Sequence, residues 1–159
     1  MQKPNKEETL VIIKPDALQR NLVGEILRRF EKKGLKMTGL KMMALNDVLL
    51  TEHYMHHKDK PFFVGLKNFM KSSPVVVVAL SGLNAVKAVR LLCGPTYGAE
   101  ADAGSIRGDF SMSTQTNIVH ASDSPEVAKT EIKRFFKDSE LFEYKKIDFD
   151  FVYGEEELE

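Results

Sequence analysis

Tryptophan is absent from the 159 residues and cysteine occurs once, as Cys93. A single thiol forms neither an internal disulfide nor a Cys-rich zinc site, so it reads as a packing group in a reducing compartment, and the cytoplasm is the expected location. Net charge is missing as well, with 23 Lys and Arg against 23 Asp and Glu. Without a basic excess there is no field to hold a nucleic-acid backbone or an anionic membrane, which argues against a dedicated nucleic-acid partner. The longest apolar run, Val75 to Leu80, falls far short of the roughly 20 residues a spanning helix needs. The stretch Met1 to Glu8 lacks the apolar centre of a signal peptide, so neither membrane insertion nor export is expected. Three catalytic signatures are also missing: no Gly precedes Lys, no His precedes Glu, and no Gly has Ser two residues on. That removes the Walker loop, the zincin helix and the nucleophile elbow.

What is present is the composition of a globular chain, 43% hydrophobic and 29% charged, of a length that suits one domain. Its ordered core is expected over about residues 8 to 153, with 154 to 159 as a solvated acidic tail. Thr9 to Ile13 reads as a buried strand stopped by Pro15. Val23, Ile26, Leu27 and Phe30 then recur at helical spacing up to a capping Gly34. Leu35 to Met43 is a second strand. Asn46 caps a helix carrying Val48, Leu49, Glu52 and Tyr54, and Pro61 separates it from a partner helix through Leu66 and Met70. Val75 to Leu80 does not alternate, so it is expected as a central strand covered on both faces. Asn84 is read as the cap of the next helix, which ends at Gly94-Pro95. Ile118-Val119 is the last strand, and Ser124-Pro125 opens the last helix. This interleaving predicts an α+β ferredoxin-like sandwich, a four-stranded antiparallel sheet with helices packed on it.

Between Gly94 and Gly108 four of the ten glycines occur with no hydrophobic period, which reads as a long ordered ligand loop. Asn117 to Asp123 is a polar cluster at a strand end just before a helix, where backbone N–H groups favour an anion, so His120 is a candidate to sit beside a phosphate, and a hydrogen-bonded core or rim histidine is the plainer reading of it alone. Lys14, Arg90 and Arg107 are cations able to neutralise a polyphosphate, and surface ion pairs are the plainer reading of each. His53, His56 and His57 have helical spacing. A solvated polar face is preferred there to a metal site, since no third ligand stands near in sequence.

Lys14-Pro15-Asp16, His53-Tyr54, Lys60-Pro61-Phe62-Phe63, Ile106-Arg107-Gly108-Asp109 and Asn117-Ile118-Val119-His120-Ala121-Ser122-Asp123 together resemble the nucleoside diphosphate kinases over about residues 9 to 136. The resemblance implies ping-pong phosphoryl transfer from a nucleoside triphosphate to a nucleoside diphosphate through a phosphohistidine at His120. By the same match Glu131 orients the imidazole and Ser122 lies close to it. Lys14, Tyr54, Arg90, Thr96 and Arg107 contact phosphates, Lys14 and Asn117 reach the sugar, and Phe62 stacks on the base while Phe63 stays in the core. Mg2+ is implied as an ion carried mainly by the nucleotide phosphates, with no direct protein ligand.

The chain departs from the family pattern at Tyr97-Gly98, where Asn-Pro is common in a loop that helps build the usual hexamers. A homo-oligomer is expected, hexamer first, with tetramer and dimer open. A proline at position 98 is expected to stiffen the loop if the backbone there suits it. The rival class is a catalytically silent α+β module that binds nucleotides or nucleic acid. A third is a relative whose phosphohistidine is hydrolysed or passed to a protein.

Overall fold

Every residue from Val75 to Leu80 is buried, and the side chains alternate between two separate apolar clusters, as the unbroken hydrophobic run requires. The computed structural model describes residues 6 to 158. The amino-terminal segment read above as lacking a leader lies largely outside those residues, as does Glu159 of the tail. Strand β1 (Lys6–Ile13) leads into α1 (Pro15–Gln19) and α2 (Val23–Lys32), and β2 (Lys36–Met43) follows. Helices α3 (Asp47–His53) and α4 (Phe63–Lys71) precede β3 (Val75–Leu83) and α5 (Ala85–Cys93). Then come α6 (Ile106–Phe110), β4 (Val119–Ala121), α7 (Pro125–Phe135), and the short α8 (Phe149–Val152) and α9 (Glu155–Leu158).

The sheet order is β2-β3-β1-β4 with every pairing antiparallel, the ferredoxin-like arrangement that the element order predicts. On one face Val11, Ile13, Val76 and Val78 pack against Ile26 and Phe30 of α2 and Val89 of α5. On the other, Leu10, Ile12, Val77 and Ala79 pack against Leu50, Leu66, Met70 and Ile132 from α3, α4 and α7. Burial of each such Val, Leu or Ile contributes about 1.5–3 kcal/mol, so these two clusters dominate the gain on folding. Cys93 lies in the first cluster, and burial pushes its thiol up to about 12, which suits the packing role.

Several local signals act as read. The Asn46 side chain accepts from the Leu49 amide at 2.9 Å, and Ser124 caps α7 at the Val127 amide, 3.2 Å away. Gly34 has φ +96 after α2, and a Cβ there would stand 2.5 Å from Val152, so both backbone and space demand glycine.

Others act differently. Asn84 does not cap α5: it adopts a left-handed conformation with φ 51, and the Val86 amide donates instead to Glu7 Oε2 at 3.1 Å. The cause is the length of β1, which begins at Lys6 and so carries a carboxylate to the helix N-terminus, where the dipole favours it. The segment Gly94 to Gly108 is not all loop. It holds a 3-10 turn at Gly98–Glu100 and enters α6, where Ser105 accepts from the Gly108 amide at 3.0 Å. Gly98 has no room for a side chain, because a Cβ would lie 2.4 Å from Ser111 Cβ and 2.5 Å from the Ser111 carbonyl oxygen. A proline at 98 would therefore strain the loop. The last strand starts one residue later than expected, at Val119, because Ile118 has φ 74 and leaves the extended region. Of the acidic tail, Glu155 to Leu158 form an exposed helical turn.

Candidate active site

The end of β1 and the short β4 lie side by side, with Ile12 opposite His120 and Ile13 opposite Val119. Strand alternation therefore turns His120 toward the face covered by α3 and α7, while Val119 and Ala121 enter the other core. Glu131, two turns into α7, comes back to that strand end. Both of its carboxylate oxygens lie 3.0 Å from His120 Nε2, and Ser122 Oγ donates to Oε2 at 2.6 Å. Burial raises the carboxyl of Glu131, but the hydrogen bond and charge of His120 and the Ser122 hydroxyl outweigh it, and the group is held at about 2. An ionised carboxylate only accepts, so in the neutral imidazole of His120 the proton sits on Nε2 and the lone pair on Nδ1.

His53 does not lie on a solvated face. It ends α3 and is buried, while His56 is exposed and His57 half-buried in the 3-10 turn Met55–His57 that follows. Burial, and then the charge of His120, lowers His53 to about 2, so it stays neutral. Arg134 donates to its Nδ1 at 3.3 Å, which leaves the proton on Nε2, an atom without a partner among the described residues. His53, His120 and Glu131 place ligand atoms within 4.8 Å of one another. The Glu131 oxygens already accept from His120 and Ser122, and the Arg134 guanidinium stands beside His53, so the trio is a hydrogen-bond network built around a proton. Sequence spacing held the signal for His53: it follows Leu50 by three residues, on the face that α3 turns to the core.

The cations line the same cleft as His120. Lys14 follows β1 directly and is buried; its Nζ donates to Asn117 Oδ1 at 2.6 Å, and Asn117 Nδ2 donates to the Thr96 carbonyl at 2.9 Å. Burial first and the Arg107 charge second bring Lys14 down to about 8. Arg107 projects from α6 into the interior and donates to the carbonyls of Asn117 at 3.1 Å and of Gly94 and Val119 at 2.6 Å each. Its structural role was not legible in the sequence. Arg90 on α5 is half exposed and pairs with Asp123.

These groups line a cleft of about 1310 Å³. Lys14, Tyr54, Phe62, Arg107, Asn117 and His120 are on its wall, and Arg90, Thr96 and Glu131 also reach it; Ser122 stands behind Glu131. The Tyr54 ring lies 6.4 Å from that of His120, and its buried hydroxyl has no partner among the described residues. Phe62 is 47% exposed whereas Phe63 is buried, so the two aromatics after Pro61 divide between cleft and core. A smaller cleft of about 650 Å³ lies beyond Arg90 and Asp123, which border both.

One backbone feature underlies the site. Ile118 holds φ 74, and the Val119 amide donates to the Asn117 carbonyl at 2.8 Å, closing the rare φ-positive γ-turn. For a β-branched residue that conformation costs about 1–3 kcal/mol and persists only where the surroundings enforce it.

The arrangement pairs an oriented imidazole with a wall of cations, a design for forming and breaking a bond to a phosphoryl group. Residues 7–141 match the family model of nucleoside diphosphate kinases. The chain is 54% identical over 152 residues to the nucleoside diphosphate kinase of Parabacteroides distasonis, covering 96% of this chain and 99% of that protein. It is 47% identical over 149 residues to nucleoside diphosphate kinase A of Mus musculus, covering 94% and 98%. Among solved structures, a halophilic nucleoside diphosphate kinase from Halobacterium salinarum in complex with CDP superposes with a TM-score of 0.91 at 42% identity, covering 94% of this chain and 99% of that one. The chain thus belongs to the nucleoside diphosphate kinase family, a family of phosphotransferases.

Proposed function

We propose that His120 carries the phosphoryl group between two nucleotides that occupy the cleft in turn. The Nδ1 lone pair attacks the γ-phosphorus of a nucleoside triphosphate, the bond to the β,γ-bridging oxygen breaks, and its electrons leave with the diphosphate. The second half-reaction reverses these steps with a different nucleoside diphosphate as acceptor. The observation that carries this reading is the pair of 3.0 Å contacts from His120 Nε2 to Glu131, which fix the tautomer with Nδ1 free. Glu131 then balances the positive charge that the imidazole gains on phosphorylation, and Ser122 holds Glu131.

In this reading Lys14, Tyr54, Arg90, Thr96 and Arg107 bind phosphate oxygens and Lys14 and Asn117 bind the sugar. Three N–H groups of Arg107 are bonded to carbonyls, and the rest are available to a phosphate. Phe62 offers the base an aromatic face. The solved halobacterial relative holds CDP, and a diphosphate is the ligand that this cation wall suits. A divalent cation, read as Mg2+, would be carried by the phosphates and would neutralise part of their charge; Glu131 is engaged by His120 and Ser122 and Asp123 by Arg90, and neither is assigned as a direct ligand. We read the chain as one catalytic domain that assembles as a homo-oligomer, hexamer before tetramer or dimer, in the cytoplasm, with no dedicated nucleic-acid partner. No described helix is long and apolar enough to cross a membrane.

The test is to mix pure protein with γ-labelled ATP, isolate it, and add GDP. Label on protein and then on GTP is expected. A protein that never takes up label is a silent binding module, and label lost to water or kept for another protein points to the third class.

A further inference from the structure

In an unbroken strand Ile118 and His120 would share a face, with Asn117 and Val119 on the other. The observed chain breaks this rule: Ile118, Val119 and Ala121 all enter one core cluster, while His120 alone points to the opposite face. The γ-turn at Ile118 makes the change of phase, and it brings Asn117 and His120 to one cleft. A β-branched residue does not adopt φ 74 unaided, so something must hold it.

Three groups grip the turn. The Lys14 amide donates to the Ile118 carbonyl at 2.9 Å. Arg107 reaches the carbonyls on either side of Ile118, those of Asn117 and Val119. The Ile118 amide itself donates to Asp16 Oδ2 at 3.1 Å. Asp16 follows Pro15 in the first turn of α1, so a rigid helix start carries its carboxylate, and its other oxygen is buried without a partner among the described residues. The carboxylate is thus placed for this amide, its one hydrogen-bond partner among the described residues, and its charge also favours the protonated form of Lys14.

We infer that Asp16 is a positioning residue, whose bond to the Ile118 amide holds the strained turn that sets Asn117 and His120 in register for phosphoryl transfer. It touches neither His120 nor the cations directly as a hydrogen-bond partner, and it acts through the backbone. The inference rests on the reading of His120 as the phosphoryl carrier for its kinetic consequence, and on the backbone geometry alone for its structural one.

The test compares Asp16→Ala, Asp16→Asn and the unaltered protein. Asn keeps a side-chain oxygen that the Ile118 amide can reach, and Ala does not. In folded protein at saturating nucleotide, Asp16→Ala is expected to lower kcat at least tenfold, more than it raises KM, and Asp16→Asn to stay within threefold of the original. A merely stabilising carboxylate would lower the melting temperature and leave kcat of the folded enzyme unchanged. Should Asp16→Ala not fold, Asp16→Ser serves: its hydroxyl suits a helix start but falls one bond short of the amide, and the same loss of kcat is expected. Hydrogen exchange without nucleotide separates the two layers. The Ile118 and Val119 amides should exchange at least tenfold faster in Asp16→Ala than in Asp16→Asn, whether or not His120 takes up phosphate. A kcat within twofold of the original in Asp16→Ala, an Asp16→Asn as slow as Asp16→Ala, or unchanged exchange at both amides would overturn the inference.

Discussion

The ring of His53 stands edge-on to the ring of His120, their centroids 4.5 Å apart and their planes at 78°. The contact limits rotation of the imidazole that Glu131 holds from below, so His120 is fixed by a hydrogen bond on one side and by packing on another. His53→Ala leaves a cavity that lets the ring turn. Phosphorylation of His120 is expected to slow about tenfold, the loss of roughly 1.4 kcal/mol of orientation, while His53→Phe keeps the shape and most of the rate. Single-turnover labelling of the two variants checks this; equal rates in Ala and Phe would show that the packing is idle.

The same residue sets an acid limit. His53 has a folded value of about 2 against an ordinary 6.5, so between those values the unfolded chain binds a proton that the folded chain refuses. Stability therefore falls as pH drops below 6.5, by at most about 1.4 kcal/mol per pH unit from this group. Below 4.5 Glu131, held at about 2, adds a loss of the same sign. Denaturant midpoints between pH 7 and 5 should fall more steeply in the original protein than in His53→Phe. Parallel curves would remove His53 from the acid limb.

Lys14 gives the alkaline counterpart. Its folded value of about 8 lies below the ordinary 10.5, so from 8 to 10.5 the unfolded chain binds more protons and folding stability rises with pH as this buried charge is released. Nucleotide affinity should move the other way, since a neutral amine contributes little to a phosphate. Calorimetric Kd values for a nucleoside diphosphate are expected to weaken above pH 8, and a Lys14→Arg variant to lose much of that alkaline dependence. An affinity flat to pH 9.5 would place Lys14 away from the phosphates.

Phe62 offers a test of the proposed base platform. Stacking on an aromatic face is worth about 1–3 kcal/mol to any base and reads no hydrogen-bonding edge. Phe62→Ala is expected to weaken adenine, guanine, cytosine and uracil nucleotides alike, within about 1 kcal/mol of one another. Selective loss of one base, measured by titration of each diphosphate, would show a polar reader elsewhere.

Gly98 shows where sequence comparison and structure part. The resemblance makes a proline at 98 a stiffening change wherever the backbone suits it, yet the approach of Ser111 leaves no space for any Cβ at this position. Gly98→Ala and Gly98→Pro are both expected to destabilise the chain by about 1–3 kcal/mol, as overpacking does. A raised melting temperature in either would show that the loop takes another path.

What was legible in the sequence came from local chemistry: the unbroken apolar run of β3, the Asn46 and Ser124 caps, and the helical spacing of α2. What was not legible depended on neighbours distant along the chain. Glu7 takes the helix start that Asn84 was expected to cap, because β1 runs three residues further than its apolar core. The turn at Ile118 contradicts the strand preference of isoleucine and is imposed by Asp16, Lys14 and Arg107 from elsewhere in the chain. Arg107 reads as a phosphate ligand by its motif, and only packing reveals that it also ties three backbone carbonyls together.

The central claim is that His120 reacts through Nδ1 because Glu131 holds Nε2. Protein enriched in 15N at histidine, incubated with ATP and then freed of nucleotide, can be read by phosphorus–nitrogen coupling in NMR. One phosphate per chain is expected, on Nδ1 of His120, acid-labile, returned to GTP on addition of GDP, and absent from His120→Ala. Phosphate on Nε2, on Ser122, or undiminished in His120→Ala would contradict it.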